Sequence, residues 1–139
     1  MAIEIENDVF DYVTAYILER RSDVDVSSVE VLAPSRFPFV SIVESDNRVF
    51  DRWRTAEIIE NAAIIMIEAN VYSNKASGKK QEAKEITNIM DDAFASIGFE
   101  RILRYPVRNY SDPSIYRIAS RYQGLAILND DGKIYIHSY

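Results

Sequence analysis

Between residues 5 and 20 the apolar side chains fall at Ile5, Val9, Phe10, Val13, Tyr16 and Ile17. That spacing gathers one greasy face on an α-helix. Asn7 or Asp8 stands where a cap belongs, and Arg20 and Arg21 suit the negative end of the helix dipole. A polar linker follows, with Asp23, Asp25, Ser27 and Ser28. The period then drops to two. Val29, Val31 and Ala33 alternate with polar neighbours, and after Pro34 and Pro38 residues 39–44 read as a second strand. Residues 46–55 are polar, lack a clear period and predict a loop. Residues 60–72 predict a long strand, with Ala63, Ile65, Ile67, Ala69 and Val71 on one face. Ile64, Met66, Glu68, Asn70 and Tyr72 occupy the other face. Its first half is apolar on both faces, which places it centrally in a sheet.

Helical spacing returns at 79–97, where Ala83, Ile86, Met90, Ala93, Phe94 and Ile97 form a stripe and Gly98 sits at the C-terminal cap position. Residues 99–107 predict a strand ended by Pro106, and residues 109–114 a turn. A long strand over 115–128 is joined to 133–139 through a turn containing Asp131-Gly132, a strong hairpin signal. The expected fold class is α+β: a mostly antiparallel sheet of about five to six strands packed against two main helices. A length of 139 residues predicts one domain over 1–139, with a projecting loop around 46–56.

Composition narrows the chemistry. The absence of Cys excludes disulfides, thiolate metal sites and cysteine nucleophiles, and the one histidine, His137, reads as a surface residue near the end. No basic, apolar leader opens the chain, and its longest apolar run, 62–67, is far too short to span a bilayer. The reading is therefore a cytosolic-type domain away from membranes. A formal charge of −6 argues against a broad basic face for DNA. Nine tyrosines suit half-buried sheet faces and subunit contacts.

Three stretches invite a site. "VYSNKASGKKQEAKEI" (71–86) resembles a phosphate loop, but a Walker loop needs two glycines and a Lys followed by Ser or Thr. Here Gly78 stands alone before Lys79 and Lys80. Ser73, Asn74 or Ser77 capping a helix, with Gly78 allowing the turn, accounts for it better. Lys75, Lys79, Lys80 and Lys84 still gather positive charge at a helix start, where an anion could rest, although Glu82 and Glu85 offset it. Among carboxylates, Glu60 and Glu68 share a strand face but lie about 26 Å apart along it, too far to flank one glycosidic bond. No nucleophile–base set emerges, so no enzyme, cofactor or metal is expected. The third stretch, 46–55, combines Arg48, Arg52 and Arg54 with Phe50 and Trp53. Arg and Trp dominate binding hot spots, so this stretch is read as interface or as a loop folded back on the domain.

Three motifs carry a family resemblance. They are "ENAAIIMIEANVYSNKASGKKQEAKEI" (60–86), "DDAFASIGFERI" (91–102) and "SIYRIASRYQGLAI" (114–127). They resemble the tail-terminator or tail-to-head joining proteins of long-tailed bacteriophages, the small neck proteins also called minor capsid proteins. About the last 80 residues carry the likeness; the first 55 match in element order and in "FPFVSIVESDN".

That resemblance implies a structural, non-enzymatic protein of the virion neck, assembled in host cytoplasm. It implies a homo-oligomeric ring, usually a hexamer, that terminates the tail tube and joins it to the head. The implied partners are the chain itself, the tail tube protein and a head connector or adaptor protein, with DNA passing through but not specifically bound. The 46–55 loop matches the family's ring projection, although the family's version is often rich in Ser and Asp. Arg117 and Arg121, on one face of the later strand, are implied to meet acidic groups of a neighbouring subunit. Two readings compete: a head-completion adaptor on the portal side, and a small anion-binding module at the lysine-rich helix start.

Overall fold

The computed structural model describes residues 3–31, 33–49, 62–108, 112–129 and 131–137. The elements run α1 (Glu6–Arg20), β1 (Asp25–Ser27), β2 (Phe39–Val49), β3 (Ala62–Ser73), α2 (Lys79–Ser96), β4 (Glu100–Val107), β5 (Tyr116–Leu128) and β6 (Ile134–His137). The sheet order is β1-β2-β3-β5-β4, with β6 also on β5. Only β1–β2 is parallel; β2–β3, β3–β5, β4–β5 and β5–β6 are antiparallel. This is the expected α+β architecture, with two helices and a six-stranded, mostly antiparallel sheet.

Strand alternation separates two faces. The odd-numbered residues of β3, from Ala63 to Val71, join α1's Val9, Val13 and Ile17 and α2's Ala83, Ile86, Met90, Ala93 and Phe94 in the main core. From β5 the even-numbered Ile118, Tyr122 and Ala126 enter the same core, as the β3–β5 register requires. Phe94 stacks on Tyr122 at 4.0 Å between centroids and meets Phe99 edge-on at 5.6 Å. Burying this set removes apolar area from water, the dominant favourable contribution to folding. Both helices therefore cover one face; among the described residues the other, called the open face below, carries no helix.

Several expectations change. Residues 29–33 form no strand among those described; the linker residues Asp25–Ser27 do, by pairing in parallel with Phe39–Ser41. Local alternation was outweighed by a neighbouring edge that β1 could reach. The strand from Phe39 runs on to Val49, so 46–49 is strand and not loop, with an irregularity between Glu44 and Asp46. Pro106 lies inside β4 rather than ending it. An edge strand tolerates this, because a proline there can direct its missing N–H away from the sheet.

The helix starts are also corrected. Ile5 occupies the α1 N-cap position and Gly78 that of α2, and neither start has a side-chain cap. At the other end of α2, Gly98 adopts φ +93° as expected of a C-terminal glycine. A Cβ there would sit 2.6 Å from the Ile136 carbonyl oxygen, so β6 packs against the end of α2 only because the side chain is absent.

Two polar clamps fix the helices. Arg21, just past α1, bonds Asp23 at 2.8 Å and Glu82 of α2 at 3.1 Å, and Ser73 Oγ donates to Glu82 at 2.7 Å. These acids hold the Arg21 guanidinium firmly charged, its pKa raised chiefly by the Asp23 hydrogen bond. On the β4 side, Asp91 of α2 receives Arg101 at 2.7 Å, Arg104, and the Tyr122 hydroxyl.

Candidate interaction site on the open sheet face

The open face is built by the residues whose neighbours in sequence face the helices. β2 contributes Phe39, Ser41, Val43, Asp46 and Arg48, following the register across to β3's Tyr72, Asn70, Glu68, Met66 and Ile64. β5 contributes Arg117, Ala119, Arg121, Gln123 and Leu125. The three described arginines singled out in the sequence thus share one face, at the levels of Ile64 (Arg48), Glu68 (Arg121) and Tyr72 (Arg117). Phe50, Arg52, Trp53 and Arg54 lie outside the described residues.

Within the chain, Arg117 Nε donates to Asn70 Oδ1 at 2.9 Å, and its guanidinium carbon lies 5.2 Å from the centre of the Tyr72 ring. Phe39 packs on that ring from β2 at 5.8 Å. Arg121 reaches Glu68 at 3.8 Å, a loose pair between two partly exposed groups. The described partners of both arginines therefore belong to their own chain. Exposed Arg48 completes the set.

Beside these residues a small cavity of about 160 Å³ opens between Glu30, Val43, Ser45, Glu68 and Asn70. Two hydroxyls nearby are buried without a hydrogen-bond partner among the described residues: Ser41 Oγ, opposite Asn70, and the Tyr72 hydroxyl. Burial raises the Tyr72 pKa; Arg117 opposes that rise, while Glu30 and Glu68 add to it. Buried polar atoms normally find partners, so this corner is chemically incomplete. A second small apolar group of Ala62, Ile64 and Leu125 lies farther along the same face.

Two other charged regions have partners within the chain. The lysine-rich helix start is a turn with Gly78 at φ +88°. Lys79 Nζ donates to the Pro113 carbonyl at 2.9 Å, a structural use of one of the four lysines. At the start of α1, Glu4, Glu6, Asn7, Asp8 and Glu44 line an acidic cleft of about 330 Å³. Glu6 and Asp8 complement the positive end of the helix dipole, and Glu6 accepts the Glu44 backbone N–H at 2.8 Å. Among the described residues no group of three or more His, Cys, Asp or Glu could hold a metal ion. His137 is exposed on β6.

Sequence reasoning found the alternation that places Glu68, Asn70 and Tyr72 together. It missed Ser41, Glu30 and the Asp91 clamp, because their roles depend on strand register and on residues 10 or more positions away. No protein-family model matches the chain, and no match to a curated protein was found.

Proposed function

We propose that this chain is a structural neck protein of a long-tailed bacteriophage, forming a homo-oligomeric ring that ends the tail tube and joins it to the head. The reading is non-catalytic. Its main support is a sheet dry on one face and armed with arginine, tyrosine and carboxylate groups on the other, together with the motifs at 60–86, 91–102 and 114–127. A ring needs two different, complementary surfaces on each subunit, because a head-to-tail contact closes only when its two sides differ. The open sheet face and the helix layer are two such surfaces.

Light scattering of the purified chain over a concentration series, alone and with tail tubes, tests this. The expected result is a closed ring, or a smaller species that caps tubes and stops their growth. A concentration-independent monomer indifferent to tubes overturns it. Binding to portal-bearing heads alone transfers the role to the adaptor.

A further inference from the structure

We infer that the cavity between Glu30 and Glu68 is a socket for a basic side chain of a second copy of this chain, supplied by Lys80 or Lys84 on α2. The inference rests on the ring reading and specifies one of its contacts.

Both charged residues lining the cavity are glutamates, and the other lining residues, Val43, Ser45 and Asn70, bring no charge. The nearby cations sit on the β5 side and have partners. Arg117 is held by Asn70 and lies near the Tyr72 ring; Arg121 leans on Glu68, its buried Nε without a hydrogen-bond partner among the described residues. Glu68 has only the 3.8 Å contact with Arg121 among the described residues, leaving acceptor capacity unused. Ser41 Oγ and the Tyr72 hydroxyl can each accept a hydrogen bond as well as donate one. They are buried at 0% and 1% exposure, and neither has a partner among the described residues. Tyr72 shares its strand face with Glu68 and Asn70, and Ser41 lies opposite Asn70, so both adjoin the lining residues. An ammonium group, with three donors and no acceptor, suits carboxylates and lone-pair-bearing hydroxyls.

The occupant comes from the opposite layer of the molecule. Lys80 and Lys84 are exposed one turn apart on α2 and have no ion-pair partner among the described residues. α2 packs on the face of the sheet away from the cavity, so one copy cannot fill its own socket. A neighbour presenting its helix layer to this open face can, and that contact is heterologous, as ring closure requires.

Two experiments on the full chain test the inference. In the first, N-acetyl-lysine amide is titrated while NMR shifts are followed. Shifts confined to Glu30, Val43, Glu68, Asn70 and Tyr72 are expected, weakened about tenfold in Glu68→Gln. Glu30→Gln, at an exposed loop position, repeats the test without touching the sheet. Absent or scattered shifts overturn the socket.

The second experiment measures association, alone and on tubes, for Glu30→Lys/Glu68→Lys and for Lys80→Glu/Lys84→Glu, separately and mixed. Each variant alone is expected to lose association by about tenfold or more, and the mixture to recover it, since opposite charges face each other again at both contacts. Failure of the mixture to recover, or a wild-type chain that does not associate, overturns the second copy as the source. A chain that rings and caps tubes with Glu68→Gln unaffected overturns the socket and leaves the ring reading standing.

Discussion

The two faces of the sheet are made by the same strands with opposite rules. Along β3 every odd-numbered side chain from Ala63 to Val71 is packed under a helix, with no charge among them. The even-numbered residues of that strand end in Glu68, Asn70 and Tyr72, which meet Arg121 and Arg117 from β5. The covered face therefore derives its stability from packing, where each lost methylene leaves a void. On the other face, apolar packing at Phe39–Tyr72 and among Ala62, Ile64 and Leu125 alternates with half-exposed polar contacts such as Arg121–Glu68. The exposed polar groups among these add little to folding and are free for recognition.

The sharpest way to break this contrast is Phe94→Ala. Its ring stacks on Tyr122 and meets Phe99 edge-on in the centre of the covered face. A loss of about 3–5 kcal/mol is expected by urea denaturation. A loss below about 1.5 kcal/mol would mean the helices do not depend on that layer.

Tyr122→Phe probes the rim of the same face. It removes the hydroxyl from Asp91 while Arg101 and Arg104 remain, and about 1–2 kcal/mol is expected near neutrality. Burial, followed by the Asp91 hydrogen bond, pushes the Tyr122 pKa far above the usual tyrosine value. Its folded pKa exceeds the unfolded value of about 10, so its contribution is whole below that pH and is lost as pH rises beyond it. Denaturation of wild type should weaken above about pH 10, and Tyr122→Phe should reduce that slope. Parallel slopes would remove Tyr122 from the account.

On the open face the effects shrink. Arg117→Ala deletes one hydrogen bond to Asn70 and a contact with the Tyr72 ring; about 1 kcal/mol is expected in stability. Arg121→Ala loosens a 3.8 Å pair whose side chains are 44% and 31% exposed. Less than about 0.5 kcal/mol is expected. Either change should disturb association more than folding. If Arg121→Ala proves as costly as Phe94→Ala, the distinction between the faces fails.

Much of this contrast was readable from the sequence because alternation is local. The faces of β3, the stripe of α2 and the Asp131-Gly132 hairpin follow from spacing within a dozen residues. What escaped was non-local. Asp25–Ser27 became a strand only because the edge at Phe39–Ser41 was within reach, and Asp46–Val49 continued as strand because β3 offered partners from Met66 to Ala63. Arg48, Arg117 and Arg121 were legible as candidates, but their common face depends on register. Ser41 gave no signal at all; a serine in an apolar strand becomes notable only when its hydroxyl is seen buried opposite Asn70 without a partner among the described residues.

The smallest expected effect comes from Glu44, which takes part in both patterns. Its strand position turns it toward the helix side, where its backbone N–H is received by Glu6, yet its side chain is charged and one carboxylate oxygen is buried without a partner among the described residues. Burial first, then Glu6, Glu4 and Asp46, raise its pKa. A carboxyl raised above its unfolded value favours folding when protonated and loses that contribution as pH rises through the folded pKa. Glu44→Gln, which stays neutral, should therefore stabilise the chain at pH 7 by a few tenths of a kcal/mol, the half-exposed setting screening the rest. The gain should vanish below about pH 4, where wild type is protonated too. A loss at pH 7 would show that the Glu44 charge is used, and the acidic cleft at the start of α1 would then belong with the open face as a recognition surface.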